Sequence, residues 1–354
     1  MNKKLIIFPT KKQLEYLVQK NSTDNFYVIV RDKDAVDESN IIRVINGEEK
    51  LLGKDVDVLC CHEEGMYWLR THGNVNWNNI FLPNMVNLVT KKSFKECLIK
   101  NGIKSASFCE DEAQIQEYPI IAKPIIGFGS IGVKRIDSEN ELKLYLSETS
   151  MEEMQSRIKP YKDKYFQDME NTIIFEEFIP GDFYRTPFVV YDNEIRYIFP
   201  VKGNKTTYRR NSDFHWTDFE YGVNERNIAS YLKGILENLK DLFKLQSGVY
   251  VAEFIVNEDN EVYLLEFSPR QTSDRIARII QLASGIDLEQ LAIDLFLGEK
   301  IQEISLNRTI RMQILRSEDT KVEGNYLFIE KKEEGSVYGD RITTMYTEKV
   351  QIYE

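Results

Sequence analysis

The segment Gly248–Arg270, GVYVAEFIVNEDNEVYLLEFSPR, sets two carboxylates where they could do chemistry. It reads as two β runs around a turn at Glu258–Glu261. Pairing across that turn places Asn257 opposite Val262, Ile255 opposite Leu264 and Glu253 opposite Glu266. Alternation then puts Val251, Glu253, Ile255, Leu264 and Glu266 on one face. Ala252, Phe254, Val256, Tyr263, Leu265 and Phe267 form the other, a core face. Directly opposed residues have Cβ atoms about 5 Å apart, where like charges destabilise the pair. A divalent cation between them would neutralise the repulsion, and Mg²⁺ characteristically takes one or two carboxylates together with substrate phosphates. Two solvent-facing glutamates on an edge, or a general acid/base pair, are the other readings of this spacing. Arg270, just past the strand end, is placed to meet a phosphoryl group or an oxyanion.

A second feature is Gly127-Phe-Gly129-Ser-Ile-Gly132, literally GxGxxG. A dinucleotide loop must follow a strand and open a helix. Here VKRI, a β pattern, follows the loop, so that context fails. A kinase flap has its lysine after the loop, whereas Lys123 precedes this one, and no HRD or DFG occurs. What survives is a glycine flap whose backbone N–H groups can close over phosphates. An ordinary Gly-rich hairpin is the bland alternative. Against it, Lys123 interrupts an apolar strand, IIAKPII, where a charge is costly without a partner.

These residues need elements to position them. Lys4–Thr10, Phe26–Arg31, Ile41–Ile45, Val56–Cys61 and Ile80–Leu82 read as short strands, with Lys11–Gln19 as a helix among them. That alternation predicts a small α/β unit with a parallel sheet. Lys91–Asn101 reads as a helix closed by Gly102. Strands are expected at Tyr118–Lys123, Val133–Ile136 and Ile173–Phe178. Ser138 with Glu141 resembles a capping box for a helix Glu139–Ser147, and Glu148–Glu170 is ambiguous. Asn227–Lys244 carries Leu232, Ile235, Leu236, Leu239, Leu242 and Phe243 on one helical face. Leu288–Leu297 is a further helix ending at Gly298, and residues 300–354 look β-rich.

Composition narrows the function classes. The 354 residues hold 46 Lys+Arg and 57 Asp+Glu, a formal charge of −11. Nucleic acid and anionic membrane surfaces select basic patches, so neither is expected as a partner. No run of about 18 apolar residues marks a membrane span. The basic N-terminus lacks a long apolar region and a small-residue cleavage site, so it reads as a first strand. The four cysteines, Cys60, Cys61, Cys97 and Cys109, show no CxxC spacing and fit reduced thiols in a cytoplasmic protein. Three histidines leave little scope for a His-based triad or metal site.

A lysine before a glycine flap, an acidic strand end, and a carboxylate hairpin ending in Arg occur here in fixed order. Carried by TKKSFKECLIKNGI, YPIIAKPIIGFGSIGV, FEEFIPGDF, AEFIV, YLLEFSPR and SGIDLEQLAIDLFLG, the stretch 85–298 resembles the ATP-grasp superfamily, and among it the carboxylate–amine ligases. The resemblance implies an α/β (α+β grasp) chain. It would have a Rossmann-like preATP-grasp domain over 1–88 and a small lobe with the flap over 89–180. A large lobe with the metal site over 181–300 and a β-rich segment over 301–354 would follow.

The resemblance also implies roles. Lys91, eleven residues before Gly102, and Lys123 would contact ATP phosphates, with Lys92 competing for the first role. Gly127, Gly129, Ser130 and Gly132 would form the phosphate flap. Glu176 would accept the adenine amino hydrogen and the Ile179 N–H would meet the ring, with Glu177 and Phe178 between them and Glu177 an exposed neighbour. Glu253 and Glu266 would hold one or two Mg²⁺ ions, and Arg270 would stabilise the transferred phosphoryl group. Two positions depart from the pattern. Ser268 stands where the family often has a metal-ligating Asn, and Phe183 where it often has the ribose-binding acid, so Asp182 is the substitute.

The expected activity is amide formation through an acyl phosphate, with ADP and phosphate released, on an amino acid or small carboxylic acid and an amine. A kinase and a non-catalytic ATP-binding module are the competing classes. Arg185, Arg196, Lys202, Lys205, Arg209 and Arg210 cluster in an acidic chain, which suggests an anionic substrate; Lys205, Arg209 and Arg210 are the selected contacts. A solvated basic loop is the alternative. A carrier protein as one substrate and a homodimer are partners left open at this point.

Overall fold

The computed structural model describes residues 3–20, 26–30, 42–45, 56–72, 90–127, 129–130, 132–168, 172–209, 213–272, 274–304, 309–316, 328–333 and 345–353. At the N-terminus, β1 (Lys3–Ile7), β2 (Phe26–Ile29), β3 (Ile42–Val44) and β4 (Val56–Cys60) form a parallel sheet in the order β3-β2-β1-β4. Leu5, Ile6 and Ile7 are all buried, as a parallel strand covered on both faces requires. Helix α1 (Lys11–Gln19) starts on a capping box, with Gln13 N–H donating to Thr10 Oγ1 and Thr10 N–H to Gln13 Oε1. Helix α2 (Glu63–Thr71) leaves the carboxyl end of β4. The strand expected at Ile80–Leu82 lies outside the described residues.

Helix α3 (Lys91–Lys100) is capped by Thr90, whose side chain accepts from the Ser93 N–H, and it closes at Asn101 before Gly102 with φ +67°. Strands β5 (Phe108–Cys109), β6 (Ile120–Pro124), β7 (Lys134–Ile136) and β8 (Ile173–Glu177) make an antiparallel sheet in the order β5-β8-β6-β7. Two helices join β7 to β8. In α4 (Glu139–Tyr145) the cap is half a capping box: Glu141 N–H donates to Ser138, while the Glu141 carboxylate accepts from Asp137 N–H. The ambiguous stretch is the helix α5 (Glu148–Tyr165), with Pro160 inside it. Its end docks on α2, where Tyr165 donates to Glu64 at 2.7 Å and Arg70 pairs with Asp168.

The large sheet follows. Its strands are β9 (Asp182–Tyr191), β10 (Glu194–Ile198), β11 (Val201–Arg209), β12 (Asp213–Tyr221), β13 (Gly248–Val256), β14 (Val262–Ser268), β15 (Thr309–Arg316), β16 (Phe328–Glu333) and β17 (Met345–Tyr353). They run in the order β14-β13-β9-β11-β12-β15-β17-β16, with β10 on β9. Helices α6 (Val223–Phe243), α7 (Asp274–Ser284) and α8 (Leu288–Phe296) complete the chain. Arg185, Arg196, Lys202, Lys205 and Arg209 therefore lie on strands, not in a basic loop. Helix α6 starts four residues before the expected boundary, and α7 was not expected.

The hairpin β13–β14 pairs Glu253 with Glu266 as its spacing predicts, but by a different route. The turn end pairs Val256 with Val262 and Ile255 with Tyr263, one residue off the expected register. An irregularity beside Glu253 absorbs the extra residue, leaving Leu265 without a partner in the ladder. The assignment of faces is corrected accordingly. Leu264, not Leu265 or Tyr263, joins Ala252, Phe254, Val256 and Phe267 in the main core. Tyr263 and Leu265 pack with Ile255, Ile179, Phe183 and Ala106 on the opposite side. Among the described residues no helix is long and apolar enough to cross a membrane.

Candidate active site

Glu63, Thr90, Lys91, Lys95, Lys123 and Glu266 line one cleft between α2, α3, β6 and β14. Lys91 sits at the start of α3, half-buried, and donates to the Gly127 carbonyl at 2.6 Å. Burial lowers the proton affinity of its ammonium, which Glu266 partly restores. Lys92, the competitor, points out and pairs with Glu110 at 2.6 Å. The helix cap at Thr90 thus decides which of two adjacent lysines faces the cleft.

The flap begins at Gly127 with φ +124°, and Gly129, Ser130 and Gly132 also adopt positive φ. At Gly132, φ +70°, a Cβ would lie 2.7 Å from the Met154 side chain, so only glycine lets α5 close on the loop. Tyr145 donates to the Gly132 carbonyl and holds the far end.

Lys123 on β6 is buried, and its Nζ lies 2.6 Å from Glu176 Oε1. This is the partner that an apolar strand interrupted by a lysine requires. Burial alone would raise the Glu176 carboxyl, but Lys123 and Lys95 outweigh it and hold the group below the usual range. Ile179, Phe183 and Ile255 form an apolar wall just beyond Glu176. Glu177 is exposed and accepts from Ser107, and the Arg135 guanidinium lies 4.3 Å over the Phe178 ring. Asp182 is exposed and pairs with Lys202 at 2.7 Å.

Glu253 and Glu266 face each other across β13–β14, and Arg185 of β9 approaches Glu253 at 3.4 Å. Burial pushes the Glu253 carboxyl up to about 7; Arg185 opposes this and Glu266 adds to it. Two opposed carboxylates with that cost of carrying charge suit a divalent cation completed by phosphate oxygens. Among the described residues no group of three or more His, Cys, Asp and Glu is set to hold a metal by itself. The donor set therefore fits Mg²⁺ brought with a nucleotide rather than a closed protein site.

Two residues that sequence reasoning missed complete the arrangement. Glu63 Oε2 accepts from Ser268 Oγ at 3.2 Å and from Arg270 Nε at 3.0 Å, tying the N-terminal unit to the end of the carboxylate hairpin. An acid in the first turn after a parallel strand was its available signal. Ser268 and Arg270 lie beside the carboxylate pair as expected, but both already engage Glu63. Lys95, one turn beyond Lys91, is the other omission; its spacing of four from Lys91 was the signal. Of the cationic cluster, Arg185, Lys202 and Arg196 pair with Glu253, Asp182 and Glu194. Lys205 and Arg209 lie on β11, their side chains outside the described set, and Arg210 is outside it altogether.

Comparison with known proteins identifies the fold. The family model of the ATP-grasp domain matches residues 116–278. A crystal structure of L-amino acid ligase from Bacillus licheniformis is similar at 14% identity, covering 99% of this chain and 94% of that one, with TM-score 0.67. A carboxyaminoimidazole ribonucleotide synthase from asperigillus clavatus, complexed with ATP, is similar at 12% identity, covering 98% and 93%, with TM-score 0.62. A biotin carboxylase from Campylobacter jejuni, complexed with β-γ-ATP, is similar at 14% identity, covering 100% and 88%, with TM-score 0.61. No curated protein sequence matches. The chain has the ATP-grasp fold, and residues 116–278 match the family model of the ATP-grasp domain.

Proposed function

We propose that this chain is an ATP-dependent ligase that joins a carboxylic acid to an amine through an acyl phosphate. One observation carries the reading: Glu266, Lys91, Lys95 and Lys123 line one cleft, with Glu253 opposite Glu266 on the hairpin and Arg270 held by Glu63 of the same cleft. Lys91 and Lys123 bind the phosphates of ATP, and the Gly127–Gly132 flap closes over them. Glu176 accepts from the adenine amino group and the Ile179 N–H meets the ring. Asp182 is the candidate ribose contact. Glu253 and Glu266, with Ser268 adjacent, hold Mg²⁺, which supplies charge neutralisation at the phosphoryl groups. Arg270, aligned by Glu63, stabilises negative charge as a carboxylate oxygen of the acid attacks the γ-phosphorus and the bond to ADP breaks. The amine nitrogen then attacks the acyl carbon, and phosphate leaves with its bonding pair. The closed flap excludes water from the acyl phosphate. No side-chain nucleophile is needed.

The substrates are small molecules, with an amino acid as the favoured acid. Lys205 and Arg209, on the strand next to β9, and Arg210 are the candidate carboxylate contacts. The test is a screen of amino acids and small acids with Mg·ATP and hydroxylamine. A hydroxamate formed with stoichiometric ADP supports the reading and names the acid. A stable phosphorylated product instead assigns a kinase, and ATP binding without ADP release across the panel assigns a nucleotide-binding module.

A further inference from the structure

Lys95 is the most confined charge in the cleft. Its residue is 1% exposed, on the inner face of α3 between Phe94 and Leu98. An ammonium is placed there only at a cost, unless its hydrogens and charge are met. They are met in a specific way. Nζ lies 2.6 Å from Ser105 Oγ, which fixes the direction of the side chain, and 3.4 Å from Glu176 Oε1. Lys123 approaches the same oxygen at 2.6 Å. The closest approach of both lysines to Glu176 therefore falls on Oε1.

One lysine would suffice to neutralise one carboxylate. A second, brought from another element and aimed at the same oxygen, does something further: it stops the carboxylate rotating about its last bond. It also disfavours the protonated form, which alone could donate a hydrogen bond. We propose that Lys95 is a positioning residue for nucleobase choice, anchoring one oxygen of Glu176 so that the other meets the base only as an acceptor. Such an oxygen attracts the 6-amino group of adenine and repels the 6-oxo group of hypoxanthine or guanine. The cleft thereby selects a 6-aminopurine nucleotide. Lys95 acts through Glu176 and does not itself touch the base. The inference rests on the nucleotide-site reading above.

ATP and ITP differ at that single position of the base, so their dissociation constants are the direct readout, measured calorimetrically with the full chain. The parent is expected to prefer ATP by about 100-fold, the range of a hydrogen bond to a charged group set against an unpaired one. Lys95→Met narrows the preference by about tenfold, chiefly through weaker ATP binding. In turnover the loss falls on KM for ATP more than on kcat. Ser105→Ala, which frees Lys95 while keeping its charge, narrows the preference in the same direction by a smaller factor. A Lys95→Met protein that melts lower but keeps the parental ATP:ITP ratio overturns the proposal, because Lys95 is then only a buried structural cation. If Lys95→Met does not fold, Ser105→Ala decides in the same way, and an unchanged ratio there overturns it. A folded parent that binds neither nucleotide removes the nucleotide-site reading, and this proposal with it. A parent that binds ATP and ITP equally removes the proposal alone.

Discussion

Glu266→Gln should move stability and activity in opposite directions. Glu253 and Glu266 stand opposite each other, and the Glu253 carboxyl is raised from 4.5 to about 7. Burial is the largest cause of that rise, Arg185 works against it, and Glu266 adds to it. The share of Glu266 is about 1 kcal/mol, the usual scale for a directly opposed like-charge pair. Glutamine keeps the shape of the side chain and removes the charge, so the protein free of nucleotide and metal becomes more stable. For a chain of this length that is an upward shift of about 1 °C in Tm. The same change removes one of the two carboxylates available to Mg²⁺, and ATP turnover falls by about 100-fold or more. The assay pairs melting in EDTA with ADP release under Mg·ATP. A lower melting temperature would refute the repulsion argument, and turnover within about twofold of the parent would refute the metal role.

Glu63→Gln loses the charge that holds Arg270 Nε and Ser268 Oγ. Turnover should drop about 10- to 100-fold while calorimetric ATP affinity stays within about threefold; a collapse of ATP binding would show that Glu63 serves the nucleotide instead. Lys91→Met should cost about tenfold or more in ATP affinity, whereas Lys92→Ala, which removes only an exposed pair with Glu110, should leave it unchanged; equal losses would undo the assignment of Lys91. The Lys95 ammonium is pushed by burial from 10.5 down to about 8, with Glu176 opposing. Between those values the unfolded chain holds a proton that the folded chain has released, so stability rises with pH across that window. Denaturant unfolding should show the parent gaining about 2 kcal/mol on Lys95→Met between pH 8 and pH 10; a constant gap would exclude a buried ammonium. Phe254→Ala, deleting a fully buried ring of the β13 core face, should cost about 3–5 kcal/mol in the same assay.

Much of the candidate site could be read from single residues because each breaks a local rule. Lys123 interrupts an apolar strand, two glutamates oppose each other on a hairpin, and glycines crowd a turn between strands. Such violations mark a ligand before any fold is known. The N-terminal parallel sheet was legible for a different reason: strands covered on both faces read as continuous apolar runs. The strands through the cationic stretch were not legible, because β11 and β12 carry charged and polar residues that mask alternation. The hairpin register was half legible. Its charge pair was readable from the spacing, but the unpaired Leu265 was not, because a bulge is set by packing on the neighbouring strand rather than by turn length.

The sequence by itself determined the chemistry on offer: an acidic chain, a lysine-and-glycine flap, a carboxylate pair and a terminal arginine. Only the tertiary structure decided which of these meet. Lys91 rather than Lys92 enters the cleft because the Thr90 cap sets the phase of α3. Glu63, more than two hundred positions from Arg270, reaches it because α2 leaves the carboxyl end of β4. Lys95 becomes a partner of Glu176 because the fold brings α3 within 3.4 Å of that carboxylate on β8. Residue type and local spacing are properties of the chain, whereas burial and partnership come from elements far apart in sequence. The pairing of charges that makes a site is therefore written only when those elements pack.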